Sequence, residues 1–260
     1  ADNQYPDAML SGCATAWKLV CALVERGKEK SIQGFENIPL GFTKWLLDLV
    51  AISTIADMVP LCDENRVLAY YGLIVLRKSK RPGIQALALK ARLKLADITE
   101  DDIGFTLAPR LNAASRMDHP ERAFRLLATH DEKEAQELAG YLDSLNTARK
   151  SNVASAVKKA KKKVEQGMGL VGTEGDSAQG NPVLVVGDKE WSPGILGLIA
   201  SKLAEEYEKV VFVWGIDDEG TDCKGSCRSD GKTHLIDLMQ AAGPATFSHM
   251  GGHELAGGFS

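Results

Sequence analysis

Between Asp131 and Gln166 the chain contains no proline and a single glycine, Gly140. Across that stretch Ala135, Leu138, Leu142, Leu145, Val153, Val157, Ala160 and Val164 recur at three- and four-residue steps, the spacing that lines apolar side chains along one face of an α-helix. The pattern predicts one helix of about 50 Å at roughly 1.5 Å per residue, ending at Gly167. It separates two stretches that are patterned differently.

The stretch before it reads as helical. Ala8, Leu10, Ala14, Leu19, Leu23 and Val24 fit one amphipathic helix, and residues 42–50 another. Asp48 to Asp57 is a nearly continuous apolar run ending in an acid, which predicts a buried element closed by a buried carboxylate. A helical pattern runs from Asp63 to Leu76, and the basic run Arg77-Lys78-Ser79-Lys80-Arg81 closes it before Pro82-Gly83. Thr99 and Asp102 have the spacing of a capping box; the short helix they open should break at Pro109.

After the long helix the composition shifts. Residues 172–181 (GTEGDSAQGN) carry no large apolar side chain and predict a surface loop. Residues 183–186 and 210–214 are strand-like, and 195–207 between them are helical in period. Strand, helix, strand predicts a βαβ unit, hence an α/β domain.

With 44% hydrophobic residues in 260 the chain can bury a substantial core. The net charge of −4 excludes a basic field over the whole molecule, so any phosphate site has to be local. The five cysteines are scattered and odd in number, which argues against a disulfide framework and points to the cytoplasm. No apolar run reaches membrane-spanning length. The opening residues have neither an initiator Met nor a signal pattern, and the chain reads as cut from something longer.

Several residues could carry chemistry. Asp57, between apolar neighbours, is either a capping or ion-paired acid or a metal ligand. Arg110 and Arg116 flank the small residues of Leu111-Asn112-Ala113-Ala114-Ser115; they suit phosphate through the guanidinium fork, or form surface ion pairs. In Lys224-Gly225-Ser226-Cys227-Arg228-Ser229, strand alternation puts Ser226 and Arg228 on one face, as a phosphate clamp or as an ordinary polar face. Gly251-Gly252-His253 permits close backbone approach and could present N–H groups and an imidazole to an anion, or be a plain turn. Trp191-Ser192-Pro193-Gly194 opens a predicted helix, a generic anion position. Neither Asp-x-Asp nor Asp-His-His occurs; one Asp cannot hold the two ions of metal-assisted phosphoryl chemistry.

In order along the chain, the segments DLVAISTIADMVPL (48–61), RPGIQAL (81–87), IGFTLAPRLNAASR (103–116), LDSLNTAR (142–149), WSPGILGLIASKL (191–203), KGSCRS (224–229) and GGHELAG (251–257) resemble the RecJ-type single-stranded-DNA exonucleases of the DHH phosphoesterase family. The resemblance implies the C-terminal part of a DHH domain over residues 1–130, a connecting helix over 131–167, and a smaller α/β DHH-associated domain over 168–260 that binds nucleic acid. It implies 5′-to-3′ degradation of single-stranded DNA in repair and recombination, with two Mn2+ or Mg2+ ions. Asp57 matches the last acidic metal motif, the other metal motifs lying upstream. Arg110, Asn112, Arg116, Ser226, Arg228, Gly251, Gly252 and His253 fall at substrate-binding positions. An arginine of the 110–116 segment would close the 5′-phosphate pocket from the first domain. Ser115 stands where the family usually has Gly, and Ser192 where a His commonly follows the Trp. The implied partners are a 5′ DNA end and repair proteins such as a helicase or single-strand-binding protein, with no membrane. This chain alone should be inactive. The rival readings are another DHH phosphoesterase, acting on short oligonucleotides or cyclic dinucleotides, and a non-catalytic nucleic-acid-binding scaffold.

Overall fold

The computed structural model describes residues 5–6, 9–167, 170–171, 183–217, 220, 222–243 and 245–260. The chain divides into two compact units, Ala1–Ala114 with Asp118–Asn146, and Ser115–Met117 with Thr147–Ser260.

The first unit is helical. Ser11 caps α1 (Gly12–Glu29) by accepting from the Ala14 N–H at 3.2 Å, so that helix begins later than the apolar pattern suggested. The helix expected over 42–50 is two helices, α2 (Phe42–Trp45) and α3 (Leu47–Ala56). They are followed by α4 (Asp63–Leu76) and by α5 (Pro82–Lys90), whose proline sits in the first turn, where a missing N–H costs nothing.

The Thr99–Asp102 capping box forms and opens α6 (Glu100–Asp102). The expected break at Pro109 does not occur. A π-helical turn (Ile103–Leu107) leads directly into α7 (Ala108–Met117), with Pro109 in its first turn. The widened turn ahead of the proline is the kind of local adjustment that accommodates the ring and the missing donor. After α8 (Glu121–Ala128), Ile52, Leu76, Leu87, Ile103, Leu107, Leu126 and Leu142 form one buried cluster. At about 1.5–3 kcal/mol per buried aliphatic side chain, that cluster outweighs the unit's surface pairs.

The long helix is present as α9 (Glu132–Glu165), 34 residues. Asp131 accepts from the Glu134 N–H at 2.8 Å, with acids in the first turn and Lys162 and Lys163 in the last, all favourable to the helix dipole. The first unit contains its beginning and the second its end.

The second unit is built on a six-stranded sheet of order β1-β2-β3-β4-β6-β5. Its strands are β1 (Leu170–Val171), β2 (Val183–Gly187), β3 (Val210–Ile216), β4 (Cys223–Arg228), β5 (Met250–Gly252) and β6 (Ala256–Phe259). β2 and β3 are parallel and joined through α10 (Pro193–Tyr207), the βαβ unit read from the sequence; the other pairs are antiparallel. Val153, Val157, Ala160 and Val164 of α9 bury with Ile199, Leu203, Val211 and Val213. Another buried cluster joins Phe212 and Cys227 to Leu235 and Met239 of α11 (Leu235–Ala241). The glycine-rich stretch around Gly251-Gly252-His253 forms a hairpin of β5 and β6. The loop expected over 172–181 lies outside the described residues. No helix of the described residues is long and apolar enough to cross a membrane.

Candidate functional site

Strand alternation on β4 brings Ser226 and Arg228 together on one face: the Arg228 guanidinium donates from Nη1 to Ser226 Oγ at 3.0 Å. It also donates to the Cys227 carbonyl at 2.7 Å and, from Nε, to Ser201 Oγ at 3.1 Å. Every one of these acceptors is neutral. Ser226 Oγ in turn donates to the Gly257 carbonyl at 3.2 Å, because β6 pairs with β4 and sets Ser226 opposite Gly258 and Cys227 opposite Gly257.

A second arginine joins from α7. Residues Ser115–Met117 group with the second unit, so Arg116 and Arg228 stand in the same compact unit. Glycine is the physical reason. A Cβ on Gly194 would lie 2.0 Å from the Arg116 carbonyl oxygen, so only glycine lets the first turn of α10 press against that backbone. Arg116 Nη1 then donates to the Gly194 carbonyl at 3.2 Å. One turn along, a Cβ on Gly197 would lie 2.8 Å from Arg228 Nη2 and 3.2 Å from Ser226 Oγ. Glycine there leaves open the space into which the clamp projects.

Electrostatics mark the place. Burial pushes the Arg228 guanidinium below the ordinary arginine range; the neighbouring Cys227 works against this, and Arg116 adds to it. Burial and then the like charge of Arg116 do the same to Arg149, on α9. Half-buried guanidiniums under mutual repulsion gain most from an anion, and the arginine fork fits a phosphate with paired charge-assisted bonds. Arg228 also borders an open cleft of about 600 Å³ lined by Ser201, Ser229 and Lys232, with Glu205, Glu208 and Asp230.

The other candidates stand elsewhere. Arg110 is in the first unit, donating to Asp143 Oδ1 at 2.8 Å and to the Thr106 carbonyl at 2.7 Å, an ion-paired arginine. Asn112 is exposed on α7 in the first unit. Gly251 and Gly252 lie in β5, Gly252 at φ +150°, and His253 is exposed in the hairpin turn, its N–H donating to the Ala256 carbonyl at 2.7 Å.

Asp57, expected to be buried, is exposed. It caps the C-terminus of α3 and accepts from Ser53 Oγ at 3.2 Å. The apolar run is a helix that ends at Ala56, so the acid emerges past the last turn. The buried carboxylate is Asp48. Arg149 and Gly197 were not singled out by sequence reasoning, and Gly194 entered it only as part of the helix-opening segment Trp191–Gly194. The usable signal was position: each lies within a segment that resembles the RecJ type.

The second unit is an α/β module in which Arg116, Ser226 and Arg228 stand in one place. Residues 180–260 match the model of the DHHA1 domain. The chain is 36% identical over 98% of its length to the single-stranded-DNA-specific exonuclease RecJ of Bacillus subtilis, covering 29% of that protein. It is 35% identical to RecJ of Haemophilus influenzae over 98% of its length, covering 44% of that protein. A crystal structure of Thermus thermophilus RecJ in complex with Mg2+ superposes over 99% of this chain and 36% of its own, with TM-score 0.79 and 29% identity. A RecJ structure bound to manganese gives TM-score 0.74 at 29% identity, over 99% of this chain and 58% of its own. Over nearly its whole length the chain is similar to RecJ-type exonucleases, and it spans only 29% to 44% of the length of these curated relatives.

Those relatives raise the question of a metal site. Among the described residues no three His, Cys, Asp or Glu side chains come together as ligands would. Asp57 is one exposed carboxylate. The described residues do not by themselves make up a two-metal site.

Proposed function

We propose that this chain is the DNA-end-binding portion of a metal-dependent, 5′-to-3′ single-stranded-DNA exonuclease acting in repair and recombination, and that it seats a terminal 5′ phosphate between Arg116, Ser226 and Arg228. The observation that carries this is Arg228 itself: half-buried beside Arg116, with all its hydrogen bonds to hydroxyls and a carbonyl. Arg149 strengthens the field from α9. Gly251, Gly252 and His253 border the site through the hairpin that pairs with β4, and Arg110 and Asn112 are substrate-binding residues of the first unit. Asp57 serves the intact enzyme as one ligand of a Mn2+ or Mg2+ site completed by residues outside this chain. The working setting is the cytoplasm, alongside a helicase or single-strand-binding protein.

Charge-assisted bonds to a phosphate contribute about 1.5–3 kcal/mol each. Arg228→Ala should therefore weaken binding of 5′-phosphorylated single strands about tenfold or more, while strands ending in a 5′-hydroxyl lose much less. Fluorescence anisotropy at fixed salt, with both strands on wild type and variant, measures this. Equal losses for the two strands would make Arg228 a general backbone contact and sink the end-pocket reading.

A further inference from the structure

A second basic site stands in the first unit. The run from Arg77 to Arg81 places four cations in five residues of a chain whose net charge is −4. A buried lock sets their directions. Asp48, 2% exposed, accepts from Ser79 Oγ at 2.9 Å, Arg81 Nε at 2.9 Å and the Leu49 N–H at 2.8 Å. Arg77 is held separately, donating to the Ile98 carbonyl at 2.9 Å.

What remains faces a cleft of about 450 Å³ lined by Trp45, Lys78, Lys80, Arg81, Pro82 and His130, together with Asp48 and Ser79. Lys78 and Lys80 are exposed and make no ion pair among the described residues. By contrast Lys159, Lys161 and Lys163 of α9 each have a carboxylate partner. The one carboxylate in the cleft, Asp48, is already occupied by Arg81. Beside these cations the Trp45 indole is 57% exposed. An exposed planar ring next to unneutralised cations is the combination that holds single-stranded nucleic acid, the ring taking a base and the cations the phosphates. An acidic peptide would satisfy the lysines and leave the ring without a stacking partner.

We propose that this cleft is a strand-binding site, with Trp45 stacking on a base and Lys78, Lys80 and Arg81 taking backbone phosphates of single-stranded DNA. The proposal rests on the reading of the chain as part of a single-strand-directed enzyme, but it needs no terminal phosphate.

The test uses the 260-residue chain and an oligothymidylate with a 5′-hydroxyl, followed by anisotropy over a salt series. Lys78→Ala/Lys80→Ala should weaken binding about tenfold and flatten the salt dependence by about 1.4 in log–log slope, at roughly 0.7 per phosphate contact. Trp45→Ala should cost about fivefold or more. The lysines are exposed, so the double variant should melt as wild type does, and its result stands even if Trp45→Ala disturbs α2. Wild-type affinity in the double variant, or no binding of the 5′-hydroxyl strand by the unaltered chain, overturns the proposal. So does displacement of the DNA by polyglutamate at equal charge concentration, which would make the cleft an acidic-peptide site. The end-pocket reading fails separately: it is lost if the unaltered chain shows no preference for 5′-phosphate over 5′-hydroxyl strands, whatever these variants do.

Discussion

Asp48 and Asp57 bound the same apolar run and have opposite surroundings. Asp48 enters the first turn of α3 facing a loop some thirty residues later, where Ser79 and Arg81 close on it; Asp57 follows the last turn and meets solvent. Removing one member of a buried ion pair leaves an uncompensated charge, a loss of about 3–5 kcal/mol. Asp48→Ala should approach that figure in urea unfolding, reduced because the Arg81 side chain keeps 26% of its exposure. Asp57→Ala should stay within about 0.5 kcal/mol of wild type. The reverse order would mean that Asp57 is the structural acid. A third aspartate reports on pH. Backbone N–H groups of Lys232 and Thr233 donate to Asp230 Oδ1 at 3.0 and 2.8 Å and hold its pKa at about 2. A depressed carboxylate pKa means the ionised turn contributes stability above the unfolded value of about 3.9, and that contribution is lost as pH falls through about 2. The amide shifts of Lys232 and Thr233 should titrate with a midpoint near 2; a midpoint near 4 would show that the turn bonds are absent in solution.

Two glycines on helices have opposite uses. On α9, a Cβ at Gly140 would meet nothing nearer than the end of the Lys90 side chain at 3.8 Å. Glycine inside a helix costs roughly 0.5–1 kcal/mol relative to alanine, so Gly140→Ala should raise stability by about that amount in urea or thermal unfolding. No gain would mean that α9 is distorted at that turn. On α10 the same substitution at Gly194 drives a methyl into the Arg116 backbone. Gly194→Ala should therefore destabilise the second unit and, in whatever remains folded, weaken the preference for 5′-phosphorylated strands through Arg116. A variant as stable as wild type, with that preference intact, would show that α10 does not press on Arg116.

At the scale of the molecule, the chain covers only part of each curated relative, and its described residues bring together no ligand set for two metals. Incubated with 5′-labelled single-stranded DNA and manganese, it should release no nucleotide above a buffer control. Release that survives further purification would overturn that expectation and place a complete metal centre within these residues. Local pattern was enough for much of the architecture. The proline-free periodicity of 131–166, the capping box at Thr99, the βαβ unit and the shared face of Ser226 and Arg228 are set by neighbours three or four residues away in a helix, or two in a strand. Tertiary structure alone decided the rest. It buried Asp48 instead of Asp57, turned the glycine stretch into a hairpin beside β4, and drew Arg116 to Arg228 while Arg110 went to Asp143. Each of those outcomes depends on a partner far away in sequence: the Arg116 backbone meeting a missing Cβ at Gly194, or the hydroxyl and guanidinium that close over one aspartate. Such pairings are fixed by packing, which no periodicity encodes.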